Sequence, residues 1–157
     1  MELIYDLEGA GWAGARISDG SRHRYFSVSY LSDALGDMAK AAVMLLNGSR
    51  EESFSFQDEP GVHRFVLTRG DADSLTIRVL WFERTFSGRA DRFGEEVFRC
   101  ECAVLDFVGQ VFASLHSIFA DRGLDGYMQA WRNHEFPVRA YEEIQRRLNP
   151  SNATANA

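Results

Sequence analysis

Lysine is nearly missing from this sequence: of its 17 basic residues only Lys40 is one, and the others are arginines. That usage points to the codon bias of a GC-rich, bacterial genome, and it leaves a surface of bidentate hydrogen-bond donors. Cysteine is scarce too. Two thiols in 157 residues cannot build the disulfide framework of a small secreted domain. No apolar run approaches the roughly 18 residues that a membrane span requires. The opening MELIYDLEGAG places Glu2, Asp6 and Glu8 where a secretory signal carries basic residues, so a cytoplasmic chain is expected. Positive charge is in deficit as a whole. A net charge of −6 argues against general nucleic-acid binding, which needs a basic footprint to displace counterions.

What is present is apolar and aromatic. Hydrophobic residues make up 45% and aromatics 13%, with 12 phenylalanines, so the core is expected to be built from rings as much as from aliphatic side chains. A chain of this length buries about 70% of its unfolded surface as one domain. Residues 1–148 read as that domain. Residues 149–157, small and polar beyond the Asn149-Pro150 stop, read as a disordered tail.

Periodicity gives the elements. Residues 12–30 read as a hairpin, WAGARI and RYFSVSY flanking a turn at Asp19-Gly20. Leu35, Met38, Ala42 and Leu45 predict a helix between an N-cap at Ser32 and a C′ residue at Gly48. ESFSFQ, HRFVLT and SLTIRVLWF predict three further strands, the first two joined through Pro60-Gly61, the sequence of a type II turn. The far end of the third run is apolar on both faces, at Leu80 and Phe82. ERTFSGRADRFGE reads as a long, mobile loop, and VFRCECAV as another strand. Leu105, Val108, Phe112, Leu115 and Phe119 predict a second helix ended by Gly123. A short helix over 125–132 and a last one from Pro137 to Leu148 follow. The order predicts an α+β domain with a mainly antiparallel sheet of about five or six strands and helices packed on one face.

Four features could carry chemistry. Cys100 and Cys102 share the strand face of Phe98. Neighbours two apart lie roughly 6.6 Å from one another with nearly parallel side chains, which disfavours a bridge. They read as buried reduced thiols. The metal alternative takes His116 as a third ligand, with no fourth evident. Gly9, Gly11 and Gly14 match the letters of a phosphate-binding loop, but strand-like ARI follows where a helix N-terminus is needed. Asp33 and Asp37 lie one turn apart, and Asp58 and Glu59 crown a turn. Such carboxylates suit acid–base work or a cation, a solvated face, or the docking of a basic partner. Trp131, where the chain turns, is the aromatic expected to be partly exposed and to anchor a partner. No histidine sits in a metalloprotease pattern and neither cysteine in a nucleophile motif, so no catalytic residue is assigned.

The segments GWA, SYLSDALGD, EPG, RFVL, LTIRVLWF and FRCECAVLDFVGQV resemble those of a group of small uncharacterised bacterial proteins, over nearly the whole chain. The group carries no assigned activity. In size and charge alone the chain is also similar to the immunity proteins of secreted toxins. The expected function is therefore a non-enzymatic, cytoplasmic protein-interaction domain that binds a basic partner, without cofactor, metal, nucleic acid or membrane. The competing expectation is a small-ligand-binding protein or minor enzyme, with its pocket between the sheet and the helices.

Overall fold

In the computed structural model, which describes residues 1–84 and 88–149, the described strands number seven and form two antiparallel sheets rather than one. The additional strand is β1 (Glu2–Gly9), which pairs with β2 (Trp12–Ser18), itself paired with β3 (His23–Ser29). The glycines that resemble a phosphate loop make the β1–β2 turn: Gly9, Ala10 and Gly11 all have positive φ. β4 (Glu51–Asp58), β5 (Gly61–Arg69), β6 (Ser74–Phe82) and β7 (Glu95–Ala103) form the second sheet, in sequence order. β4 and β5 pair Asp58 with Gly61, so Pro60 takes the third position of the turn and Gly61 already belongs to β5, which is not the type II turn expected there.

The two sheets meet face to face at β3. Its start reaches β7, where Arg22 donates to the Arg99 carbonyl at 2.9 Å and Arg24 to that of Val97 at 3.2 Å. Further along, Phe26 packs on Phe56 of β4 and Phe65 of β5, with centroids 6.3 and 5.3 Å away. β3 therefore crosses the four-stranded sheet rather than continuing it. Three helices fill the remaining space. α1 (Ala34–Leu46) lies along β4, α2 (Val104–Trp131) along β1, and α3 (Val138–Leu148) against both helices.

Local chemistry sets the helix ends. The N-cap of α1 is Asp33, not Ser32, and its carboxylate accepts from the Gly36 amide at 3.2 Å. Gly48, at φ +92°, closes the helix, with Gly48 N–H donating to Leu45 and Ser49 N–H to Met44, a Schellman motif. α2 breaks at Gly123 (φ +63°, ψ −171°), so its two halves match the two expected helices. The buried stripe of the first half is Val104, Phe107, Val108, Val111, Leu115 and Ile118, whereas Leu105 is 60% exposed. β7 runs into α2 with no linking residue, so the strand exit, not the most apolar stripe, fixes which face turns inward.

The core is aromatic. Phe54 stacks on Phe65 at 4.7 Å and on Phe107 of α2 at 6.4 Å, and Tyr5 meets Phe56 and Trp131. On the outer face of the second sheet Val62, Val66, Leu80 and Phe82 form a smaller cluster, which accounts for the two-sided apolarity of β6. The segment before β7 covers it: a Cβ on Gly94 would come within 2.7 Å of the Phe82 ring, and Arg64 reaches from the sheet to Asp91 at 2.7 Å. Thr85, Phe86 and Ser87 of the expected loop, and the expected tail beyond Asn149, lie outside the described residues.

Candidate functional site

The faces and edges of the sheets differ in how they are covered. A free edge exposes a row of unpaired backbone groups and invites a foreign strand. Along β1 the helix α2 answers those groups with side chains. Gln110 and Ser114, one turn apart, accept from Leu3 N–H at 3.2 Å and Tyr5 N–H at 3.1 Å, and Arg122 donates to the Leu7 carbonyl at 3.4 Å. At β7 the carbonyls take Arg22 and Arg24. α1 lies against β4.

The outer face of the three-stranded sheet has no such cover among the described residues. Strand alternation puts Glu2, Ile4 and Asp6 of β1, Gly14 and Arg16 of β2, and Tyr25 and Ser27 of β3 on that side. With Glu8, all of these except Glu2 outline a groove of about 420 Å³. Tyr25 is 68% exposed. Glu8 bends over the floor, where a Cβ on Gly14 would lie 2.9 Å from its carboxylate oxygen, so glycine makes room for that acid. Arg16 is taken by Glu2 at 2.5 Å. Asp6 and Glu8 have no ion-pair partner among the described residues. The groove thus offers two uncompensated carboxylates beside an exposed phenol ring.

The other acids lie elsewhere. Asp33 and Asp37 sit at the N-terminus of α1, and burial, aided by the Asp33 charge, raises the Asp37 carboxyl above its ordinary pKa. Asp58 and Glu59 stand at the β4–β5 turn, and burial alone raises Asp58. The short connection after α1 folds β4 back along the helix, so both pairs point to one end of the molecule. Asp58 approaches His63 Nδ1 at 3.8 Å. That is no ion pair at neutral pH, because burial and the Arg24 charge hold the imidazole down to about 4.

Two expectations are corrected. Trp131 is fully buried, packed edge-on against Tyr5 at 6.3 Å, because the second half of α2 turns Tyr127 and Trp131 together into the core. It offers no surface to a partner. His116 does not join the thiols either: twelve residues along α2 from Val104 is roughly 18 Å of helix rise, and its Nδ1 lies 2.8 Å from the Tyr141 hydroxyl. No group of three His, Cys, Asp or Glu residues that could hold a metal exists among the described residues. Cys100 is buried and Cys102 half-buried. Burial raises both thiols, Cys102 up to about 12.

A buried polar group went unnoticed in the sequence. The hydroxyls of Tyr5 and Tyr127 and the Trp131 indole nitrogen have no hydrogen-bond partner among the described residues. Burial first keeps both phenols protonated, helped at Tyr5 by Tyr127 and then Asp33, and at Tyr127 by Asp33. They form a neutral cluster, with no group poised as a base. A concavity of about 500 Å³ opens on the outer surface at the end of β6, lined by Trp81, Phe82, Glu83, Arg84, Arg89, Phe93 and Glu95. No helix among the described residues is long and apolar enough to cross a membrane. No known protein family, curated protein or solved structure matches the chain.

Proposed function

We propose that this protein is a non-enzymatic interaction domain for a basic partner, and that the partner docks on the open face of the three-stranded sheet. The observation that carries this reading is the groove there, with Asp6 and Glu8 unpaired and Tyr25 68% exposed. An arginine or lysine of the partner would meet the carboxylates and lay its cation over the phenol ring. Asp33, Asp37, Asp58 and Glu59 contribute at longer range to the negative field that steers the encounter. The immunity-protein likeness in size and charge is consistent with such a role.

The test is capture from a lysate of a GC-rich bacterium, comparing the unaltered chain with a variant carrying Asp6→Arg and Glu8→Arg. Both positions are on the solvent side of the sheet, so the fold should persist. The expected result is a basic protein retained by the unaltered chain, lost from the variant, and eluted by salt. A retained partner that is acidic, or one indifferent to both the variant and salt, overturns the reading.

The competing small-ligand reading has one observation in its favour, the concavity where Trp81 stands near Arg84 and Arg89. Those residues would suit a planar anion. Its pocket is not between the sheet and the helices, and charge reversal at Asp6 and Glu8 should leave such a ligand's affinity unchanged.

A further inference from the structure

We infer that a second docking site lies where the end of α2 meets the segment leading into α3, and that it takes a short amphipathic segment of a partner, an apolar anchor flanked by arginine or lysine. Its evidence is separate from that for the sheet face.

Beyond the break at Gly123, α2 is apolar on two sides. Tyr127, Ala130 and Trp131 turn into the core. Leu124 and Met128, one turn apart, turn outward and are 50% and 36% exposed. They line a groove of about 290 Å³ together with Asp125, Glu135, Phe136 and Val138. Phe119, 38% exposed, extends the patch, its ring 5.4 Å from that of Phe136. Contiguous exposed apolar surface rimmed by polar residues marks an interaction site, and an apolar helix face of this kind is read by anchors at helical spacing.

Charge selects the occupant. Both charged residues lining the groove are acids, Asp125 and Glu135, and neither has an ion-pair partner among the described residues. A second copy of this chain would bring two acidic rims together, which disfavours self-association. Residues 150–157 contain no Lys, no Arg and no side chain of the large apolar kind, so that segment lacks the chemistry to fill the groove. A partner segment with apolar anchors and basic flanks satisfies both requirements.

The experiment uses the full ¹⁵N-labelled chain and a synthetic peptide of about 14 residues, leucines at helical spacing with arginines between them. A peptide with glutamate in place of arginine is the control. The expected result is saturable amide shifts at Leu124, Asp125, Met128 and Glu135 with the arginine peptide alone. The paired change Leu124→Glu and Met128→Glu, and separately Asp125→Arg, should weaken binding roughly tenfold or more. Asp6→Arg with Glu8→Arg should leave these shifts in place. Equal binding of the glutamate peptide overturns the inference, as do shifts confined to the sheet face or no saturable shifts. Self-association abolished by Leu124→Glu and Met128→Glu overturns it as well, because the occupant is then a second copy.

Discussion

His63 should make this protein acid-sensitive in a way that one substitution removes. The ring lies on the inner face of β5 between Phe26 and Trp81, with centroids 4.8 and 4.5 Å away, and its side chain is only 13% exposed. Burial, then the Arg24 charge, lowers its pKa from 6.5 to about 4. The unfolded chain therefore binds a proton through the pH range in which the folded chain does not. Stability is unaffected above pH 6.5, falls as pH drops below it, and stops falling below about 4. At about 1.36 kcal/mol per pH unit, the loss is about 2 kcal/mol at pH 5 and about 3 kcal/mol below pH 4. Asp58 Oδ2, 3.8 Å from Nδ1, softens that loss once the ring is charged. Burial raises Asp37 and Asp58, which acts with the opposite sign and is common to wild type and variant. The assay is urea denaturation at pH 7 and pH 5 of the wild type and His63→Phe, which keeps a flat ring between its neighbours. The wild type should lose about 2 kcal/mol more than the variant. A ring titration near 6.5 by NMR, or equal pH dependence of the two proteins, would refute the reasoning.

Three further outcomes follow from the same structure. Ser114→Ala leaves the buried Tyr5 N–H without its acceptor, now at 3.1 Å, and should cost about 1–3 kcal/mol; faster hydrogen exchange at the Tyr5 amide would confirm the cause, and an unchanged melting temperature would contradict it. Trp131→Ala should cost about 3–5 kcal/mol in chemical denaturation, whereas a surface anchor would cost almost nothing. With its thiol up at about 12, Cys102 is ionised to about one part in ten thousand at pH 8, so alkylation there should be slow until the chain is unfolded. Labelling at the rate of a free thiol would overturn that environment.

How far the sequence could be read depended on what each signal encoded. Strand alternation and helical spacing are local, and they located α1, α3, both halves of α2 and six strands. β1 carried the same signal, with Leu3, Tyr5 and Leu7 on one side and Ile4, Asp6 and Glu8 on the other. Its charges drew attention to targeting rather than to a strand with one wet face. The division into two sheets was not legible, because it depends on β3 crossing β4–β7, which is a tertiary choice. The stripe of α2 was misjudged by one position for a related reason: Leu105 is more hydrophobic than Val104, but the exit from β7 decides. Trp131 shows the limit from the other side. Its place near a turn suggested exposure, and only the packing of Tyr5 against it reveals that the turn lies beyond the core.

The candidate site was the hardest part to read, because an interaction face is defined by what fails to cover it. Acidic residues in a sequence are equally consistent with caps, ion pairs and free charges. Asp33 proved to be a helix cap, Asp91 the partner of Arg64 and Glu96 that of Arg78. Asp6 and Glu8 stand apart from these because the chain spends α2 on the edge of their sheet, not on its outer face. Elsewhere it takes trouble to cover exposed sheet: side chains answer β1 and β7, α1 lies on β4, and the segment before β7 packs on the outer apolar cluster. On the proposed reading, the acidic, tyrosine-bearing face that the described residues leave open is the one a partner covers. Selection for solubility alone would leave charges of both signs scattered there. The single cation lining the groove, Arg16, is instead held by Glu2, and Asp6 and Glu8 have no ion-pair partner among the described residues.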